Sequence, residues 1–307
     1  MAVTTKVDWA TLIPSMWADS ILRQLRANII VARLVKHDFE NEVKKLGDTV
    51  KINKVGALTA ADKVAGTSVT RQTTTATGQD LVLNKHKVVP FSIEDVARGQ
   101  ANPKAMDEQM LEAGRALAEQ YESDVLAAIV AAAAGGNIMG AAGAAADEAL
   151  VLGSRKAFAD NKVPQAAMKA AIWGTKDNNA LLTTSSSKFT NANTRGDAGS
   201  ALREGHVGRL YGIEHFESQL INVVAGAPAT VQNVGLVPEA VQVAVRPMES
   251  PPEGVGAKGS VTFDEESGLA VRVVMQYDID AMALACNCDV LYGIKVTRPE
   301  WVQLLRG

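Results

Sequence analysis

Between Pro103 and Ala134 the chain keeps one helical pattern with no internal proline, and this stretch constrains the fold more than any other. Asn102 suits the N-cap, Pro103 suits the first helical position, and Asp107 and Glu108 sit where the helix dipole favours negative charge. Met106, Met110, Ala113, Leu117, Tyr121, Val125, Ala128 and Ala132 then recur at steps of three or four, until Gly135 and Gly136 stop the pattern. At about 1.5 Å per residue the helix is a rod of about 50 Å. A rod with one apolar stripe is a scaffold element, and its alanines let a sheet approach closely.

The segments before the rod alternate. GDTVKINKVGALT, Gly47 to Thr59, places Val50 and Ile52 on one side; Leu81, Leu83 and Val89 share a parity downstream, with Lys85 and Lys87 interrupting that face. Between them, TSVTRQTTTATGQDLVLNKHK is rich in β-branched and polar residues, which favours extended backbone but offers little to bury. The expected object is a two-stranded arm, unstable alone because nothing offsets its ordering entropy. Something else covers it, either its own domain or another subunit, or else the stretch is a disordered loop.

Ahead of the arm, IPSMWADSILRQLRANIIVARLV reads as a helix entered through Pro14 and Ser15, with Trp17, Ile21, Leu22 and Leu25 on one stripe. Past the rod, GGNIMGAAGAAADEA reads as a flexible hinge or crossing. Asp147 to Asp160 reads as a helix, Ala170 to Thr175 as a strand, and Thr175 as the N-cap of a short helix through Leu182. Thr183 to Gly205 is polar and reads as an exposed loop, followed by VGRLYGIEHFESQL, a strand broken by Gly212. Strands are expected at Val241–Val245, Val261–Phe263, Leu269–Tyr277 and Val290–Val296. Helix, hairpin, long helix, mixed region and strands, in that order, make an α+β chain.

A search for chemistry returns no site. The net charge of −3 excludes a dedicated nucleic-acid binder, which needs a basic excess or stripe. No signal peptide or membrane anchor is read, and the longest apolar run, Val125 to Ala134, is about half of what a bilayer requires. A soluble cytosolic protein is expected. Cys286 and Cys288, two apart in a strand, are read as small buried thiols, since zinc wants four ligands. The histidines, His37, His86, His206 and His215, form no ligating pair, and Asp278 and Asp280 are read as turn residues. No G-x-S-x-G elbow surrounds Ser185, Ser186 and Ser187, no phosphate loop is found, and Arg195-Gly196-Asp197 is read as a coincidental tripeptide. Catalytic residues, metal ligands and cofactors are therefore all expected to be none, which moves the reading from enzyme toward an interaction protein.

The order of these parts resembles the major capsid proteins of tailed bacteriophages with the Hong Kong 97-type fold. IPSMWADSILRQLRANIIVARLVKHDFENEVKKLGDTVKI looks like that family's N-terminal arm running into its extended loop. LGSRKAFADNKVPQAAMKAAIWGTKDNNALL and EGHVGRLYGIEHFESQLI, with Gly205, Gly208 and Gly212, are similar to elements of its axial domain. GLAVRVVMQYDIDAMALACNCDVLYGIKVTRPEW resembles the peripheral strands and a final LYG strand returning toward the axial domain. The resemblance implies an N-terminal arm over 1–46, an extended loop over 47–90 and a peripheral spine helix over 91–140. It further implies an axial domain over 141–235, peripheral strands over 236–282, and a return strand with the C-terminus over 283–307.

The same resemblance implies a homo-oligomer of pentamers and hexamers in an icosahedral shell around double-stranded DNA contacted without sequence preference. Portal and separate scaffolding or decoration proteins are implied partners, the virion capsid is the location, and assembly takes place in the host cytoplasm without a membrane. Thr67, Arg71, Gln79, Lys85 and Trp17 are the candidate intersubunit contacts. Lys63, Lys85 and Lys87 lie in or beside the loop, but covalent cross-linking is not expected. Two alternatives stand beside this reading: an encapsulin-type compartment shell of the same fold, and a hydrolase using the Ser185 loop.

Overall fold

The computed structural model describes residues 30–37, 49–56, 58–66, 68–69, 71–74, 76–95, 105–184, 208–252, 256–264 and 269–307. In chain order a single helical turn α1 (Val31–Leu34) precedes strands β1 (Thr49–Val55), β2 (Ala76–Val82) and β3 (Lys85–Glu94), then the long helix α2 (Ala105–Ala133). Strand β4 (Ile138–Met139), helix α3 (Glu148–Asp160), β5 (Ala170–Trp173) and helix α4 (Thr175–Thr184) follow. Apart from 3-10 turns at Pro238–Ala240 and Pro299–Trp301, the remaining described elements are strands: β6 (Gly208–Leu210), β7 (Ile213–Glu217), β8 (Val223–Val224), β9 (Thr230–Leu236), β10 (Val241–Val245), β11 (Ala257–Asp264), β12 (Leu269–Asp278), β13 (Ala283–Val296) and β14 (Val302–Arg306). The α+β reading stands. The expected helix around Trp17, the Asn102 cap, the Ser185 to Ser187 run and the Arg195 tripeptide lie outside the described residues.

The described residues form three sheets. β1 and β2 pair antiparallel by themselves, Thr49 opposite Val82 and Val55 opposite Ala76. A five-stranded sheet is organised on β13, which pairs β12 along its first half, β10 along its second, and β3 from Ala283 to Tyr292. β3 carries Pro90 and alternates between half-buried and exposed positions, as suits a strand bonded on one side only. A seven-stranded sheet runs β4-β14-β9-β5-β7-β6, with β8 on β9.

Helix α2 joins the two larger sheets. Met110, near its start, receives the Cys286 and Cys288 thiols of β13 at 4.0 and 3.9 Å, while Leu304 of β14 donates its backbone N–H to Asn137 just past the helix end. The buried face of α2 therefore changes partner along its length. Met110, Ala113, Leu117, Tyr121 and Val125 are buried as the periodicity predicts, but the stripe continues through Ile129 and Ala133, with Ala128 and Ala132 only half-buried. A second row, Ala118, Glu122 and Leu126, is buried beside it. The face is wider than one stripe because two sheets cover it.

Three further expectations need correction. The glycine- and alanine-rich segment after α2 is a packed crossing and not a flexible hinge: β4 pairs with β14, and Ala146 donates its N–H to the buried Asp177 carboxylate at 3.3 Å. VGRLYGIEHFESQL is a hairpin, since Tyr211 and Gly212 both have positive φ and reverse the chain between β6 and β7. The Leu291-Tyr292-Gly293 run stays inside β13; the return to the other sheet is made by β14, after a 3-10 turn over Pro299–Trp301.

Candidate assembly surfaces

The β1–β2 hairpin divides into a packed root and an exposed tip. At the root, Val50, Leu81 and Leu83 are buried against Ala244 of β10 and Leu291 of β13. The shared parity of Leu81 and Leu83 thus marks a real face, one that its own chain covers. Two polar contacts fix the hairpin's angle: Lys54 Nζ meets Glu300 Oε1 at 2.8 Å, and Gln79 Nε2 donates to the Thr297 carbonyl at 3.1 Å. Burial alone would push the Glu300 carboxyl up, but the Lys54 bond and the nearby Arg298 charge outweigh it and hold the carboxyl below its ordinary value.

At the tip, the Gln72 amide closes the loop on Thr59. It accepts from the Thr59 N–H at 3.0 Å and donates to the Thr59 carbonyl at 2.5 Å, a side-chain imitation of one more rung of the ladder. Beyond this clamp Val64 and Val69 are 64% and 68% exposed, and Leu58, one residue before it, is 64% exposed. Large aliphatic side chains held outward on the hairpin leave most of their surface uncovered in their own subunit.

Under the root, Asp124 of α2 gathers three partners. The Tyr292 hydroxyl donates to it at 2.6 Å, and Lys85 and Lys87 of β3 approach at 3.3 and 3.4 Å. Burial disfavours its charge, but the hydroxyl and the two ammonium groups together hold the carboxyl below its ordinary value. Two residues earlier on α2 and on a different side of it, Glu122 is buried and accepts from the Ile30 N–H at 2.7 Å and the Ser218 hydroxyl at 2.9 Å. Burial prevails there and pushes its carboxyl up. Asp289 is a further buried carboxylate, clamped by Arg272 at 2.9 and 2.7 Å and met by His86 Nε2 at 2.8 Å.

Of the expected contact residues, Trp17 and Thr67 lie outside the described residues. Arg71 is exposed in the tip. Gln79 and Lys85 are engaged by their own chain, at Thr297 and Asp124. Sequence reasoning missed Asp124 and Glu122, because nothing in the local pattern of a helix says that a carboxylate on it will face a distant strand.

These arrangements are structural in kind. Among the described residues no group of His, Cys, Asp or Glu is placed to hold a metal ion, and no helix is long and apolar enough to cross a membrane. Cys286 and Cys288 are buried free thiols; the Cys288 thiol beside it and burial both push Cys286 up, away from the reactive thiolate. The Asp278 carboxylate accepts the N–H groups of Asp280 and Ala281, a turn contact.

A family model described as phage capsid protein matches residues 80–287, more than half of the chain. No curated protein sequence matches it. Among solved structures, a chain from Mycobacterium phage Che8 is similar over 91% of both chains at 24% identity, with a TM-score of 0.66. The cyanophage Pam1 capsid asymmetric unit is similar over 89% of this chain and 87% of the other, at 14% identity and a TM-score of 0.64. The cyanophage P-SCSP1u capsid is similar over 90% and 87%, at 16% identity and a TM-score of 0.60. The chain belongs to the phage capsid protein family, and its fold is the Hong Kong 97-type fold of a major capsid shell protein.

Proposed function

We propose that this protein assembles as pentamers and hexamers into the icosahedral head shell of a tailed bacteriophage, enclosing its double-stranded DNA. The observation that carries the reading is the hairpin: a root packed on its own sheets and a clamped tip with Leu58, Val64 and Val69 held outward. Such a tip gains burial only on a neighbouring subunit. In this reading the five-stranded sheet with α2 is the peripheral domain, the seven-stranded sheet is the axial domain, and residues 1–46 form the N-terminal arm. Arg71 and Thr67 contact a neighbour through the tip and Trp17 through the arm. Gln79 and Lys85, which bond their own chain, set the angle at which the hairpin projects. Portal, scaffolding and decoration proteins and non-specifically contacted DNA are the partners this reading implies, with assembly in the host cytoplasm.

The test is to replace Ala60 to Arg71 by a short Gly-Ser bridge between Thr59 and Gln72. The subunit is expected to remain folded, because the root contacts are untouched, and to lose closed particles. Wild-type particle yields from this variant would contradict the role given to the tip.

A further inference from the structure

Three cationic side chains that lie far apart in sequence converge at one edge of the seven-stranded sheet. Arg155 of α3, Lys169 before β5 and Arg209 of β6 line a cavity of about 270 Å³, with Val163, Tyr211 and Gly212 completing its wall. Among the described residues β6 is the last strand of that sheet, and the cavity lies beside it.

Among the described residues no carboxylate forms an ion pair with Arg155, Lys169 or Arg209. The Lys169 ammonium donates to the carbonyls of Pro164, Gln165 and Ala167 at 3.3, 3.3 and 3.4 Å, which fixes its place without neutralising it. Arg155 and Arg209 are exposed and make no hydrogen bond or ion pair among the described residues. Of the carboxylates of α3, Glu148 accepts from the hydroxyl of Tyr211, a residue of the cavity wall, and Asp160 pairs with Lys156. Glu214 stands opposite Arg209 in the β6–β7 register but forms no ion pair with it among the described residues. Like charges held together repel, and an anion that enters would relieve all three interactions at once.

We propose that this basic pocket receives a carboxylate from a neighbouring copy of the chain and is a lateral contact of the shell; the proposal rests on the shell reading above. Two guanidinium forks suit a carboxylate, which each can bind in bidentate fashion. The chain carries 34 acidic against 31 basic side chains, so another copy presents carboxylates in excess.

The experiment compares full-length wild type with two double variants, Arg155→Glu with Arg209→Glu and Arg155→Gln with Arg209→Gln. Particle yield is measured by electron microscopy and light scattering over a salt series, with circular dichroism as the check on folding and a short DNA duplex as a second ligand. The charge reversal is expected to lower particle yield by about tenfold or more at low salt. The Gln pair is expected to lower it less and to flatten the salt dependence. If the Glu pair fails to fold, the Gln pair carries the test. Wild-type yields and salt dependence in both variants, with wild type forming shells, would overturn the pocket's role and leave the shell reading standing. Intact assembly with lost duplex binding would overturn it in favour of nucleic acid. A wild-type protein that forms no particles under any condition would overturn both.

Discussion

The Tyr292 hydroxyl donates a 2.6 Å hydrogen bond to the Asp124 carboxylate across 168 residues of sequence. With Lys85 and Lys87 on the same carboxylate, it ties the long helix α2 to β13, against which the hairpin root packs, and to β3, which follows the hairpin in the chain. The Tyr292 ring also meets Tyr121 edge-on, with centroids 4.8 Å apart, so hydroxyl and ring are held together.

Removing the donor with Tyr292→Phe is expected to cost the unassembled subunit about 1–2 kcal/mol, and Asp124→Asn about 1–3 kcal/mol, as read by urea unfolding. Because the folded Asp124 carboxyl titrates below its unfolded value, its contribution is full above the unfolded value and is lost as pH falls through the folded one. The gap between wild type and Asp124→Asn should therefore close in acid. A gap that stays constant with pH would show that the carboxylate's charge is not what holds the strands.

Leu117 is 3% exposed at the centre of the buried face of α2. Leu117→Asp buries a charge without a partner, and a loss on the order of 4 kcal/mol or more is expected, enough to abolish folding and not merely assembly. A soluble monomer with native circular dichroism would contradict the placement of that face.

Gly140 has φ +83°, and a Cβ there would run into the Arg306 carbonyl oxygen. Gly140→Ala combines a left-handed backbone with a clash against β14, and should cost about 2 kcal/mol or more. A lowered melting temperature is the expected reading; an unchanged one would mean that the β4–β14 contact yields easily.

The sequence carried the spine helix clearly, because Met110, Leu117, Tyr121 and Val125 repeat the period of a helix locally. It carried the hairpin as well, since Val50 and Ile52 alternate and the span up to Leu81 is mostly polar. What it could not carry depends on distant approach. Gly140 reads as a flexible residue until β14 is seen beside it. Leu81 and Leu83 show a face but not that Ala244 and Leu291 cover it. Asp124 looks like a solvated helix carboxylate, and Arg155, Lys169 and Arg209 look like isolated surface charges, until the fold brings each set together. Gly212 reads as an interruption, and only the positive φ shared with Tyr211 turns it into a reversal.

The most direct measurement is electron microscopy of the purified full-length protein, with light scattering on the same sample. Closed isometric particles are expected, with the hairpin tip of each subunit covered by its neighbour. Particles or smaller assemblies in which Leu58, Val64 and Val69 stay in solvent, or subunits that remain monomeric across concentration and salt, would contradict the account.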